Sequence, residues 1–246
     1  MRPNRIRTRL GPLDATVVQG SGSPPTLVVV LCHGFGAPGD DLVPLADELL
    51  SSHPALAENV RFVFPEAPLS LDESVSLGAR AWWLIDLERR ISLQQRGAAG
   101  IKQLREDVPP GLAHARRALM GAINEIARTT GLPMGRFVVG GFSQGAMLAT
   151  DVTLRLDEPP AALAIFSGTL LCETEWQRRA PLLRGLEVLQ SHGRQDPLLP
   201  FEMALALKDL LSAAELSVEF TPFDGGHQIG MEALERFGRH LESLMT

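Results

Sequence analysis

The stretch RFVVGGFSQGAMLA at residues 136–149 limits the folds open to this chain more than any other. Phe137, Val138 and Val139 form a short apolar, β-rich run. Gly140-Gly141-Phe142-Ser143-Gln144-Gly145 follows, and then the helix-compatible Ala146, Met147, Leu148 and Ala149. Strand, tight turn and helix meet at Ser143, the pattern of a G-x-S-x-G nucleophile elbow. Gly141 and Gly145 stand two residues either side of the serine. Side chains there would obstruct the sharp turn and the close crossing of strand and helix. The turn lifts Ser143 Oγ above the sheet edge on a strained backbone. It also aims the N-terminus of the next helix at any developing negative charge. The pentapeptide alone has little specificity; the β-rich run before it and the apolar helical pattern after it give it weight.

The rest of the chain alternates in the same way. Residues 26–32 (TLVVVLC) are continuously apolar, as a central strand covered on both faces would be. Further strands are expected at 13–19, 60–64, 161–166, 186–190 and 216–222. Helices are expected at 42–50, 111–130, 200–213 and 232–244. The longest carries the stripe Leu112, Ala115, Leu119, Ala122, Ile123 and Ile126, and Gly131-Leu132-Pro133 stops it. Residues 1–12 read as a loose arm or an edge strand, 20–25 as a Gly/Ser/Pro turn, and 89–100 as a polar flap. Alternating strands and helices predict an α/β fold, with a mostly parallel central sheet and helices on both faces. With no long linker and no internal repeat, a single domain over 1–246 is expected.

Composition excludes some functions. The 246 residues are 45% hydrophobic and 21% charged, with a formal net charge of -6. That balance argues against nucleic acid as a partner, since a phosphate backbone wants a concentrated basic surface. Cys32 and Cys172 are the only cysteines, too few for a disulfide framework. The basic start MRPNRIRTRLG is not followed by a long apolar segment, and the apolar run at 28–32 is too short to span a bilayer. A cytoplasmic protein without a transmembrane segment is therefore expected. No H-E-x-x-H, dense Cys/His cluster or P-loop points to a metal or a nucleotide cofactor.

Three post-strand loops hold a serine, an acid and a base in the chain order Ser143, Asp196, His227, one of the known orders for hydrolytic triads. A serine hydroxyl is a poor nucleophile, so a base must take its proton. An imidazole titrating near neutrality can do so. Asp196 would fix the tautomer of His227 and stabilise its imidazolium. Asp224, three residues from His227, and Asp151, on the elbow helix, are the weaker acid candidates. His53, His114 and His240 read as surface groups, and His33 and His192 as structural. The loop His33-Gly34-Phe35-Gly36-Ala37-Pro38-Gly39 is tight enough to aim a backbone N–H at the reaction. Phe35 N–H and Gln144 N–H are the candidate oxyanion donors. Trp82 and Trp83 either line an acyl pocket or fill core.

These blocks together resemble the phospholipase/carboxylesterase family of α/β-hydrolases, which includes acyl-protein thioesterases and small bacterial carboxylesterases. The resemblance rests on HGFGAPGDD at 33–41, PEAP at 65–68, AWWLID at 81–86, GIK at 100–102 and GGFSQGAMLA at 140–149. It continues in IFSG at 165–168, SHGRQDPLLP at 191–200 and GGHQI at 225–229. It implies a metal-free hydrolase of carboxylic esters or thioesters, with Ser143 as nucleophile, Asp196 as acid, His227 as base, and oxyanion donation from Phe35 and Gln144. The chain departs from the family pattern in places. Ala146 replaces a frequent glycine, and the loop before Asp40 is longer than in the thioesterases. Trp83 stands where those enzymes commonly carry Phe. A bulkier wall favours short- to medium-chain acyl esters over palmitoyl-like chains. The alternatives are an acyl-protein thioesterase, a lysophospholipase, or a non-catalytic binding protein. The expected partner is a small-molecule or lipid-like ester, with a homodimer left open.

Overall fold

The computed structural model describes residues 3–20, 24–71 and 77–245. Residues 21–23 of the expected Gly/Ser/Pro turn lie outside them. The elements run β1 (Asn4–Leu10), β2 (Leu13–Gln19), β3 (Leu27–Cys32), α1 (Val43–Ser52), α2 (Leu56–Asn59) and β4 (Val60–Pro65). Next come β5 (Leu69–Ser70), β6 (Arg80–Ala81), α3 (Leu87–Gln95), α4 (Ala98–Glu106), α5 (Leu112–Thr130) and β7 (Phe137–Phe142). The chain continues through α6 (Gln144–Thr153), β8 (Ala162–Phe166), α7 (Glu173–Arg179), β9 (Glu187–Gly193), α8 (Phe201–Ala213), β10 (Ser217–Phe223) and α9 (Met231–Ser243).

Eight strands form one sheet in the order β1-β2-β4-β3-β7-β8-β9-β10. β2 pairs antiparallel with both β1 and β4, and every other pairing is parallel. Residues 4–10 thus form an edge strand rather than a loose arm. β3 and β7 sit at the centre, and every residue of β3 is buried. Their alternation sorts the core. Val28, Val30 and Cys32 join the cluster under α5 and α6, whereas Leu27, Val29 and Leu31 join the one under α1 and α9. A strand packed on both faces must be apolar at every position, which explains the unbroken run in the sequence.

The structure corrects one expectation. Residues 89–100 are not an irregular flap: they run through the helices α3 and α4, joined by a turn at Arg96-Gly97. Asp86 caps the first, its side chain accepting the Arg89 backbone N–H. Leu93, Ile101 and Leu104 from these helices, with Met203 from α8, make a small apolar cluster of their own. Among the described residues no helix is long and apolar enough to cross a membrane.

Candidate active site

At the elbow the chain turns through Ser143 with φ 54° and ψ -118°, a conformation that L side chains rarely adopt. Such a backbone persists only when its surroundings hold it. Here Ser143 N–H donates to Phe166 O of the neighbouring strand at 2.9 Å. A Cβ at Gly141 or at Gly145 would overlap the carbonyl oxygen of Cys32. The two glycines are therefore required by the close approach of β7 and α6 to β3. α6 begins immediately after the serine. Its Ala146 and Met147 N–H groups bond back to Ser143 O, each at 3.1 Å. The N–H of Gln144, in the first turn, lies among the donors that a helix leaves without an internal acceptor.

Three loops then meet. Ser143 Oγ is 2.8 Å from His227 Nε2, and His227 Nδ1 is 2.6 Å from Asp196 Oδ2. Asp196 Oδ1 accepts the backbone N–H groups of Leu198 and Leu199, both at 2.9 Å. Burial pushes the Asp196 carboxyl up, but the bonds from His227 and from those two amides outweigh it, holding the carboxyl below its ordinary value. Phe142 packs its ring 4.8 Å from that of His227. The acid and base loops are tied together by Arg194 N–H to Phe223 O and Gln195 N–H to Gly225 O. The weaker acid candidates lie elsewhere. Asp224 is exposed near Arg194, and Asp151 is fully buried among Arg116, Arg155 and Trp176.

The loop after His33 runs against the elbow. A Cβ on Gly34 would come within 3.4 Å of Ser143 Cβ. Gly36 N–H and Ala37 O bond to Arg80, so β6 braces the loop that carries Phe35. His33 is structural, as expected. Its Nδ1 donates to Gly34 O at 2.8 Å and its Nε2 accepts Ala67 N–H at 3.0 Å. Burial pushes its pKa down, so the ring stays neutral. His192 is also buried, donating from Nε2 to Leu199 O at 2.8 Å. His53 corrects the surface reading: it is buried, 3.1 Å from Glu242. His114 is exposed and His240 half-buried. Burial pushes both free thiols, Cys32 and Cys172, up, which leaves neither as a competing nucleophile.

Beside the elbow lies a cavity of about 780 Å³. Trp83 and Met147 line it together with Leu104, Leu170, Met203 and Arg90. Met147 is one helical turn beyond Ser143, which brings the cavity near the elbow, although Ser143 and His227 do not themselves line it. The two tryptophans part company here. Trp83 is on the cavity wall. Trp82 is not; it is 1% exposed, and its indole N–H donates to His33 O at 2.9 Å.

Sequence reasoning missed two positioning side chains. Gln144 is fully buried; its Oε1 accepts Trp82 N–H at 2.9 Å and its Nε2 donates to Trp83 O at 2.8 Å. It couples the elbow to the cavity wall. Ser167, at φ 50°, donates its Oγ to Gln228 O at 2.8 Å and so anchors the His227 loop. A glutamine inside a nucleophile motif, and a serine ending a buried strand, were the available signals.

Sheet order, crossover helices and loop placement define an α/β-hydrolase fold. A family model described as Phospholipase/Carboxylesterase matches residues 13–245, and the chain belongs to that family of ester hydrolases. Over 211 residues it is 28% identical to acyl-protein thioesterase 1 of Mycosarcoma maydis, covering 81% of this chain and 83% of that protein. The crystal structure of esterase PE8 superposes with a TM-score of 0.75 at 24% identity, over 99% of this chain and 100% of that one. The carboxylesterase from Mesorhizobium loti gives 0.72 at 19% identity, over 98% and 99%. At these identities the two structures bear on the fold.

Proposed function

We propose that the protein is a serine carboxylic-ester hydrolase that works through an acyl-enzyme on short- to medium-chain acyl esters. The observation that carries this reading is the continuous chain of contacts from Ser143 Oγ through His227 to Asp196. His227 Nε2 takes the hydroxyl proton as Ser143 Oγ attacks the ester carbonyl. Asp196 keeps the other ring nitrogen protonated and stabilises the imidazolium. The Phe35 and Gln144 N–H groups receive the oxyanion. His227 then passes its proton to the departing alcohol. A water molecule, deprotonated by the same imidazole, releases the acid and restores the serine.

The acyl chain occupies the cavity along Trp83, with Trp82 supporting the loop beneath. Rigid indole surface rewards a few methylenes, about 0.8 kcal/mol each. The cavity also contains Asp86, Arg89, Arg90 and Asp107, which restrict the apolar surface open to a long chain. The similarity to acyl-protein thioesterase 1 favours thioesters as a second substrate class. A fluorophosphonate should label the native protein once, at Ser143, and abolish ester hydrolysis. Labelling at another serine with activity retained would reject the nucleophile. A kcat/KM series over acyl length, with a matched thioester included, separates the two substrate classes.

A further inference from the structure

Arg90 is out of keeping with the cavity it lines. The other charged groups around it have partners. Arg89 is paired with Asp107, Asp86 caps the Arg89 backbone N–H, and Asp196 is held by His227 and two amides. The Arg90 side chain has no acceptor among the described residues, and its Nη2 is shut off from solvent. A guanidinium carries five donors and stays charged, so a half-buried one with a nitrogen cut off from water and no acceptor is costly. A leucine or methionine would line an acyl cavity at less cost. The position is also fixed relative to the chemistry. Gln94, one turn further along α3, donates from Nε2 to Leu198 O at 3.0 Å, just beyond Asp196. Asp107 and Asp196 are near enough for their charges to act on Arg90, against the effect of burial.

We propose that Arg90 receives a carboxylate on the acyl portion of the substrate, so that the preferred esters are half-esters of short dicarboxylic acids. The proposal rests on the reading of Ser143 as the nucleophile of an esterase. One guanidinium matches one planar carboxylate in a two-point hydrogen bond. With the carboxylates of Asp107 and Asp196 nearby, a single negative charge suits the position better than a doubly charged phosphate. The apolar walls contact the methylenes between the two ends, and Arg90 holds the far end.

The first test uses binding and needs no turnover. In calorimetric titration of the unaltered protein, adipate should bind roughly 10- to 100-fold more tightly than adipamide, which has the same shape without the charge. Arg90→Met should abolish that difference, and Arg90→Lys should restore part of it. Equal binding of the two compounds to the native protein would overturn the proposal whatever the variants do. The second test is kinetic: the ratio of kcat/KM for monoethyl adipate to that for the ester whose free carboxylate is replaced by a primary amide. The ratio should favour the half-ester and fall by about tenfold or more in Arg90→Met, mainly through KM. If both esters are cleaved through Ser143 with a ratio that ignores Arg90, this inference fails and the esterase reading stands. If cleavage survives Ser143→Ala, the esterase reading itself fails, while the binding contrast still decides the role of Arg90.

Discussion

The loops carrying Ser143, Asp196 and His227 and the helix pair α3–α4 beside them are built in opposite ways. The loops spring from the central sheet and are cross-tied by backbone bonds: Ser143 to Phe166, Ser167 to Ser191, Arg194 to Phe223, Gln195 to Gly225. The helix pair has a small apolar cluster and is attached mostly by side chains, Arg105 to Glu173, Thr174 to Glu106 and Gln94 to Leu198, with one backbone bond from Cys172 N–H to Asp107 O. It leaves Leu87 and Ile91 more than half exposed. A proton relay fails if its atoms move by about an ångström, so it belongs on rigid scaffold. Substrate selection tolerates looser construction, and surface segments carry it at little cost to the fold.

The strongest way to break this contrast is to attack the relay. Ser143→Ala and His227→Ala should each lower ester kcat/KM by roughly a thousandfold or more with the circular dichroism spectrum unchanged. A folded His227→Ala variant with near-native turnover would remove the proposed base. Gly145→Ala should cost about 1–3 kcal/mol in denaturant unfolding, because its Cβ meets the Cys32 carbonyl. Gly97→Ala, at the start of α4, has open space and only a φ of +60° to contend with. It should cost about 1–3 kcal/mol, the penalty of placing a side chain at φ 60° and ψ -143°, and spare the proposed relay. A Gly97 variant that loses as much turnover as the Gly145 variant would show that the helix pair is part of the platform.

This contrast also explains what was legible in the sequence. The sheet could be read because a strand buried on both faces is apolar throughout, as at Val28, Val29 and Val30. The residues of the proposed relay stood out because each lies in a loop after an expected strand, in the chain order serine, aspartate, histidine. The helices α3 and α4 were hidden. Residues 89–100 carry Arg89, Arg90, Gln94, Gln95 and Arg96, and only Leu93 of α3 is buried, so little apolar stripe announces a helix. The separation of Trp82 from Trp83 was hidden too. Adjacent identical residues give no clue to which faces the cavity, and the deciding bonds come from His33 and from Gln144, both distant in sequence. His53 looked superficial because its partner Glu242 lies near the other end of the chain.

Two intermediate predictions sharpen the comparison. Burial lowers the pKa values of His33 and His192, whereas the unfolded chain takes up protons near 6.5. Their stabilisation is complete above that value and is lost as the pH falls toward the lower folded values. The melting temperature should therefore drop between about pH 7 and pH 5. His33→Asn should make that drop shallower; an unchanged slope would mean that the ring does not stay neutral in the fold. The second concerns the cavity wall. Trp83→Ala should move the optimum of a monomeric acyl-ester series toward longer chains, with each added methylene contacting the protein worth about fourfold in kcat/KM. An unchanged profile would leave Trp83 as core packing.

The smallest effect expected is at Arg89. Its guanidinium meets Asp107 with two nitrogens, yet the arginine side chain is 44% exposed. An ion pair so open to water gains little, since solvent and salt screen it and two long side chains must be ordered to form it. Arg89→Ala should therefore change unfolding free energy by less than about 1 kcal/mol, and less still at high salt. Asp107 would remain anchored through its backbone, because its carbonyl accepts the Cys172 N–H at 3.1 Å. The cavity should keep its shape, and the kcat/KM profile over acyl length should keep its optimum. The paired measurement is chemical denaturation at low and high salt with the acyl series at each. A loss of several kcal/mol, or a collapse of turnover toward that of Ser143→Ala, would show that the helix pair is as integral to the relay as the sheet loops are.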